Sequence, residues 1–148
     1  MNAQLLDCFG WFRVAVQALV LIAETDGVCS SSIIARELQS HAAFLRRVTA
    51  RLVQAQILVA REGRAGGYRL ARSAEQITLA QVYQAAKVAY QQEPTTGSLP
   101  SNLRVQTMLS EVADELERAL LATLDRYTIA ALMEEMGEAA TEGPPYIG

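Results

Sequence analysis

The stretch that most constrains the fold runs from Leu58 to Leu70, with the sequence LVAREGRAGGYRL. Two short segments, Leu58–Val59 and Tyr68–Leu70, have the composition of strands and enclose a turn that contains three glycines. Glycine adopts the positive φ angles that the tip of a tight hairpin requires, so the stretch predicts a β-hairpin. Its charges, including the arginine just after it, are Arg61, Arg64, Arg69 and Arg72 against the single acid Glu62.

Two short helices are predicted immediately before this hairpin. Serines 30–32 can supply the N-cap of the first, which extends to Gln39, and Ser40-His41 forms a short break. The second is predicted over Ala42–Ala55, where apolar residues recur at three- and four-residue steps. Two short helices joined by a tight turn and followed by a hairpin are typical of a winged helix-turn-helix.

Further helices are predicted on both sides of this unit. Trp11–Thr25 is apolar on nearly every turn, and Thr78 can cap a helix over Leu79–Val88. After a loop at Gln91–Pro100, apolar residues recur through one long helix, Ser101–Met136. A helix that long, placed after a complete winged domain, indicates a dimerisation element, although it could instead pack on its own domain.

We therefore expect a mainly α fold with a small β-hairpin wing (α+β). Residues 11–88 would form the winged helix-turn-helix domain, 89–100 a loop, 101–136 the dimerisation helix and 137–148 a flexible tail.

Charge is unevenly distributed along the chain. From Arg36 to Arg72 there are eight arginines and two acids, a local charge of +6, whereas the remainder carries −9 and the whole chain −3. A basic block inside an acidic protein is typical of an electrostatic footprint for nucleic acid. Charge alone leaves open an equally simple alternative, in which the arginines form a solvated face paired with acids from elsewhere in the fold.

The second short helix has the chemistry of a recognition helix. Residues at the start of such a helix normally contact bases, and arginine is the usual reader of guanine. Arg46 and Arg47 point about 100° apart, so one could contact a base while the other contacts a phosphate. Arg51 would hold the backbone, and Arg61 and Arg64 on the wing would reach phosphates or the minor groove. The predicted DNA-binding residues are Ser40, His41, Ala42, Ala43, Arg46, Arg47, Arg51, Arg61 and Arg64.

Little in the sequence suggests catalysis or a bound metal. The single histidine, His41, has no second histidine and no nearby cysteine to share a metal, so we interpret it as a polar residue facing DNA rather than a metal ligand or pH switch. The GRAGG turn lacks the lysine and Ser/Thr of a phosphate-binding loop. We expect neither an enzyme nor a cofactor.

The cysteines and the hydropathy bear on the cellular compartment. Two cysteines do not make a disulfide framework. Cys29 precedes a predicted helix start, which permits a redox role, but a small buried side chain is the preferred interpretation, and Cys8 has no assigned role. The sequence has neither an apolar run long enough for a membrane span nor a signal-peptide pattern, so we expect a cytoplasmic protein.

Several segments together resemble one bacterial family, the winged-helix regulators of the IscR, NsrR and CymR type (the Rrf-two family). They are SSIIAREL, FLRRVTARLVQA, REGRAGGYRLAR and ITLAQVYQA, which lie between about Phe12 and Val88, and the long C-terminal helix resembles the dimerisation helix of the family. The resemblance implies a homodimeric transcription factor. It places His41–Arg47 and Arg51 on the recognition helix and Arg61–Gly67 on the wing.

The sequence departs from the family at three places. Wings in the family commonly read RGPGGGY, whereas here Glu62 stands at the arginine position and Arg64 and Ala65 replace proline and a glycine. Gln56 stands where the family usually has a glycine at the end of the recognition helix. The cluster-binding members have three cysteines before the long helix, and Ala89–Arg104 has none. An iron–sulfur cluster held in that way is therefore not expected.

The sequence predicts a homodimeric repressor of transcription that binds a double-stranded DNA operator without an iron–sulfur cluster. An effector, if one exists, would bind between the winged domain and the long helix near Gln91–Pro100. The alternative is a winged-helix protein-interaction module that has lost DNA binding, which Glu62 and the net charge of −3 favour slightly.

Overall fold

The structure is a computed structural model that describes residues 9–91 and 103–141. Within these residues it contains six α-helices, a short 3-10 turn and one two-stranded sheet. Three predictions concern residues outside the described ranges: the role of Cys8, most of the loop at 89–100, and the tail from residue 142 onward.

The first three helices form the core of the winged domain. They are α1 (Gly10–Glu24), α2 (Ser31–Leu38) and α3 (Ala42–Gln54), close to the predicted ranges. Helix α2 begins where the serines predict, because the Ser30 hydroxyl accepts a hydrogen bond from the Ile33 N–H at 3.3 Å. The three helices bury one continuous apolar cluster, to which α1 contributes Trp11, Ala15, Ala18, Leu19, Val20 and Ile22.

The predicted hairpin is present as β1 (Leu58–Arg61) and β2 (Gly67–Leu70), paired antiparallel. The segment between α1 and α2 adds a short third edge, because Cys29 and Tyr68 exchange two backbone hydrogen bonds of 2.9 and 2.8 Å. A Cβ on Gly67 would lie 2.2 Å from the Cys29 carbonyl oxygen, so this close approach requires glycine. The wing is therefore joined to the helical core at its base.

Helix α4 (Leu79–Gln91) follows a 3-10 turn at Ala74–Gln76. Thr78 caps it as predicted, in a reciprocal arrangement. The Gln81 N–H donates to the Thr78 hydroxyl at 3.3 Å, and the Thr78 N–H donates to the Gln81 side chain at 3.2 Å. The helix continues three residues beyond the predicted end at Val88, so residues 89–91 of the predicted loop are helical, with Ala89 buried in the core.

The single helix predicted over 101–136 is wrong. The chain forms α5 (Leu103–Leu124) and then α6 (Ile129–Thr141), which extends into the predicted tail. The break is stabilised by the backbone, because Tyr127 accepts a hydrogen bond from the Leu79 N–H at 2.9 Å and Ile129 donates one to Ile77 at 3.0 Å. The Thr128 hydroxyl then caps α6 by accepting from the Ala131 N–H at 3.2 Å. Helix α6 consequently returns to pack against α1 and the 3-10 turn.

The two halves of α5 differ in their surroundings. The C-terminal half packs on the core through Leu120, Leu121 and Leu124. Before it, five apolar side chains between Val105 and Leu116 are 52–66% exposed. We call this set the α5 stripe, and it consists of Val105, Met108, Leu109, Val112 and Leu116.

Candidate nucleic-acid interface

The start of α3 is open to solvent. His41 is the N-cap residue, with an extended backbone and an exposed side chain that makes no capping hydrogen bond. Ala42 and Ala43 follow it and are exposed. Ser40 is half-buried, and its N–H donates to the Ala35 carbonyl at 3.3 Å, which fixes the turn between α2 and α3. Small or free side chains at a helix start allow close approach of another molecule, as base contact in a groove requires.

The three arginines of α3 have different surroundings. Arg46 is exposed. Arg47 is half-buried, and its guanidinium lies 5.8 Å from the centre of the Phe44 ring, within the range of a cation–π contact. Arg51 is half-buried and donates to the Gln54 side-chain oxygen at 2.9 Å. Packing thus holds two of the three against the helix surface and leaves Arg46 free to extend.

The tip of the wing presents two further arginines. Arg61 ends β1 and Arg64 lies within the tight turn that follows, and both side chains are exposed. In this turn the Gly66 N–H donates to the Gly63 carbonyl at 3.0 Å. Gly63 has φ 101°, which favours glycine. Within residues 9–91 and 103–141, Arg46, Arg61 and Arg64 form no ion pair. The sequence left open that the arginines pair with acids from elsewhere in the fold. Among the described residues, these three arginines do not.

Helix α3 and the wing are joined directly. The hydroxyl of Thr49, which is buried in α3, lies 3.2 Å from the Tyr68 hydroxyl of β2. It also lies 2.9 Å from the Leu45 carbonyl oxygen and 3.1 Å from that of Arg46. The Tyr68 side chain thus connects the wing to α3, and the Tyr68 backbone connects it to Cys29, just before α2.

Three residues beside α3 were not predicted as part of the interface. Ser31, Ser32 and Tyr68 line a pocket of about 400 Å³ together with Arg46 and Thr49. The serines were identified only as helix caps, and Tyr68 only as a strand residue. The pocket depends on the packing angle between α2, α3 and β2, which has no local signal in the sequence.

The described residues offer few side chains that could bind a metal ion or an iron–sulfur cluster. Cys29 has no exposed surface, and its thiol lies in the core under the wing. This position favours the packing interpretation over a redox role. In the part of the chain that the structure describes, no group of three or more His, Cys, Asp or Glu side chains converges as a metal site requires. None of the described helices combines the length and apolarity needed to cross a membrane.

A polar contact joins the winged domain to α5. Lys87 of α4 forms a partly buried ion pair with Glu117 of α5. The hydrogen bond that Lys87 donates to the Glu117 carboxylate raises the pKa of Lys87, with partial desolvation opposing it. Nearby, burial raises the pKa of the Tyr83 hydroxyl, and the charge of Glu117 acts in the same direction.

Comparison with known proteins places this geometry in context. A family model described as Rrf2, iron-dependent transcriptional regulator, matches residues 11–135. A search of proteins with curated functions gave no significant match.

Solved structures share the fold. IscR of T. potens is 23% identical, with 90% of each chain covered and a TM-score of 0.65. CymR of B. subtilis, the global cysteine regulator, is 19% identical over 84% of this chain and 94% of its own, with a TM-score of 0.60. CymR of Staphylococcus aureus is 21% identical over 84% and 96%, with a TM-score of 0.58.

These likenesses confirm the predicted winged-helix fold, and the family match confirms the resemblance noted in the sequence. The match spans far more than half of the chain, and it includes the recognition helix, the wing and most of the C-terminal helices. The chain belongs to the Rrf2 family and is a DNA-binding regulator of transcription.

Proposed function

We propose that the protein binds a specific operator in duplex DNA as a homodimer, represses transcription from it, and does so without an iron–sulfur cluster. The observation that carries the proposal is the arrangement of Arg46, Arg61 and Arg64. They are exposed on a recognition helix and a wing that are joined by the contact between Thr49 and Tyr68. Guanidinium groups held on one rigid unit can contact phosphates and base edges in a fixed register.

The α5 stripe supports the homodimer. Full burial of one large apolar side chain contributes about 1.5–3 kcal/mol, and association costs about 4–15 kcal/mol. Five such side chains from each of two copies are enough to offset that cost. A dimer would place two recognition helices on one duplex, as palindromic operators require. Such a dimer would act where the chromosome is, in the cytoplasm, and bound there it could repress simply by occupying the DNA.

The absence of a cluster is proposed from the chemistry of the donor set. Iron–sulfur clusters are held mainly by several cysteine thiolates. The whole chain has two cysteines, and one of them, Cys29, is buried in the core. These residues do not fit a cluster, although the family description is iron-dependent. We likewise propose no catalytic activity.

A small-molecule effector, if the protein has one, is proposed to bind between the winged domain and α5. A polar pocket of about 670 Å³ lies there, lined by Lys87, Glu117 and their neighbours, close to the end of α4. The rest of the predicted effector region, residues 92–100, lies outside the described residues. Substitutions at residues 92–100 that leave operator affinity unchanged, with and without candidate ligands, would count against this site.

The test of the proposed function is selection from a pool of random duplexes at about 50 mM and about 200 mM salt, followed by sequencing of the retained DNA. We expect an enriched palindrome with half-sites about one helical turn apart, and affinity that falls steeply with salt. The competing proposal, a protein-interaction module that has lost DNA binding, is favoured by the exposed acid Glu62 at the wing tip. It predicts no enrichment at either salt concentration.

A further inference from the structure

We propose that the pocket between α2, α3 and β2 binds one phosphate of the DNA backbone, with Arg46 as the charged ligand and Ser31 as a neutral one. This inference rests on the proposed function and assigns a role that the sequence left open between Arg46 and Arg47. The pocket has a volume of about 400 Å³, room enough for a phosphodiester group. We call it the hydroxyl pocket.

The donors in the hydroxyl pocket can be separated by what already occupies them. The single proton of the Thr49 hydroxyl has three acceptors within reach, which are the Leu45 carbonyl at 2.9 Å, the Arg46 carbonyl at 3.1 Å and the Tyr68 hydroxyl at 3.2 Å. Ser32 shares a hydrogen bond of 3.0 Å with Ser30. Ser31 is exposed, and no hydrogen bond is found for its hydroxyl among the described residues. The pocket therefore has a fixed wall of Thr49 and Tyr68 and a free hydroxyl at its rim.

Arg46 supplies the charge. It is exposed, lines the same pocket as Ser31, and has no ion pair within the described ranges. The apolar lining includes Ala42, one turn earlier on α3, which leaves the approach to the guanidinium unobstructed. A pocket that is lined by an arginine and two serines, with no carboxylate in the lining, is suited to an oxyanion.

The alternative assignment is that Arg46 contacts a base. The two roles differ in what a substitution changes. A lost phosphate contact weakens binding to all sequences by a similar factor and lowers the salt slope, whereas a lost base contact relaxes specificity at one position. The structure favours the phosphate role because the pocket that Arg46 lines is also lined by residues of α2 and β2.

The experiment compares wild type, Arg46→Ala, Ser31→Ala and Arg36→Ala on the selected operator over a range of salt concentrations. Arg36 is the matched control, because it is an exposed arginine of α2 that pairs with Glu37 and does not line the pocket. Arg46→Ala should reduce the magnitude of the negative slope of log affinity against log salt by about 0.9 for each protomer bound. Base preference should be unchanged. Ser31→Ala should weaken binding severalfold, and Arg36→Ala should leave both quantities near the wild-type values.

Duplexes with single neutral methylphosphonate linkages provide the second measurement. One position in each half-site should weaken wild type and have no effect on Arg46→Ala, which would identify the phosphate in the pocket. An unchanged salt slope with relaxed base preference in Arg46→Ala would overturn the assignment while leaving the proposed function intact. A wild-type protein that retains no DNA would overturn both. In that case, saturable binding of inorganic phosphate that Arg46→Ala abolishes would show that the oxyanion is a free one.

Discussion

Gln56 follows the recognition helix with φ 58°, in the left-handed region. A side chain makes this conformation costly by about 1–2 kcal/mol, which explains why the resembling family has glycine there. We predict that Gln56→Gly stabilises the protein by about 0.5–1 kcal/mol, because the relieved strain exceeds the extra chain entropy of glycine. Urea unfolding monitored by circular dichroism measures the difference. Gln54→Gly is the matched control, since Gln54 is in the last turn of α3 and should lose about 1 kcal/mol. Equal destabilisation by both changes would contradict the argument.

Gly67 is required by the close approach of Cys29. A methyl group there would lie 2.2 Å from a backbone oxygen that cannot rotate away, so we expect Gly67→Ala to destabilise the fold by about 1–3 kcal/mol. Thermal melting provides the comparison. Gly137→Ala is the control, because a Cβ there meets no atom within 4 Å and alanine favours a helix. The idea fails if the two variants melt at the same temperature.

At the scale of residues, the sequence predicted what depends on local chemistry. The caps at Ser30 and Thr78 and the turn glycine Gly63 follow from hydrogen-bonding groups and φ preferences within a few positions. The different surroundings of Arg46 and Arg47 could not be predicted, because they depend on which neighbours each side of α3 meets. Arg47 lies against Phe44, and Arg46 lines the hydroxyl pocket.

One side-chain cap contributes to the corner between α5 and α6, beside its backbone hydrogen bonds. Thr128→Ala removes the hydroxyl that accepts the Ala131 N–H, so we predict a loss of about 1 kcal/mol in unfolding free energy. Chemical denaturation measures it. Thr123→Ala is the control, because the Thr123 hydroxyl donates to the Ala119 carbonyl within α5 and alanine is the better helix former. A loss in the control as large as that in Thr128→Ala would mean that the corner is not capped in this way.

The ion pair between α4 and α5 gives a pH dependence with a definite sign. Because Glu117 raises the pKa of Lys87, the pair stabilises the fold fully below the usual lysine pKa of about 10.4, and that contribution is lost as pH rises through the raised value. We predict that wild type loses more stability than Lys87→Met between about pH 9 and about pH 11. Identical alkaline profiles would exclude the contribution.

At the scale of elements, the helices of the winged domain and the hairpin were predictable from periodicity and turn residues. The break at Asp125–Thr128 was not. Apolar residues continue at helical spacing on both sides of it, and the chain turns there because Tyr127 and Ile129 form backbone hydrogen bonds with Leu79 and Ile77, about fifty residues earlier. Pairing between segments that far apart in sequence leaves no periodic signal.

Iron provides a prediction for the whole molecule. Because the chain lacks the thiolates that a cluster requires, protein purified without oxygen should contain far less than one iron per chain and show no cluster absorption after incubation with iron and sulfide. Elemental analysis measures this directly. Stoichiometric iron that survives gel filtration would contradict the donor-set argument and would direct attention to Cys8.

The α5 stripe is an apolar surface that the other described residues leave uncovered. The sequence indicated a helix with a partner, and the structure divides that helix into a half that packs on its own chain and a half that does not. The sequence did not predict that part of α5 packs on its own chain, nor that α6 returns to α1. Both depend on the corner between α5 and α6.

The central claim is that two copies, joined through the α5 stripe, bind one operator. Sedimentation of the protein with the selected duplex tests it most directly, using wild type, Leu109→Glu in the stripe, and Ser110→Glu at an exposed position on another face of α5. We predict two protomers per duplex for wild type and Ser110→Glu, and a monomer with much weaker DNA binding for Leu109→Glu. A single wild-type protomer per duplex, or a Leu109→Glu variant that still binds as a pair, would contradict the account.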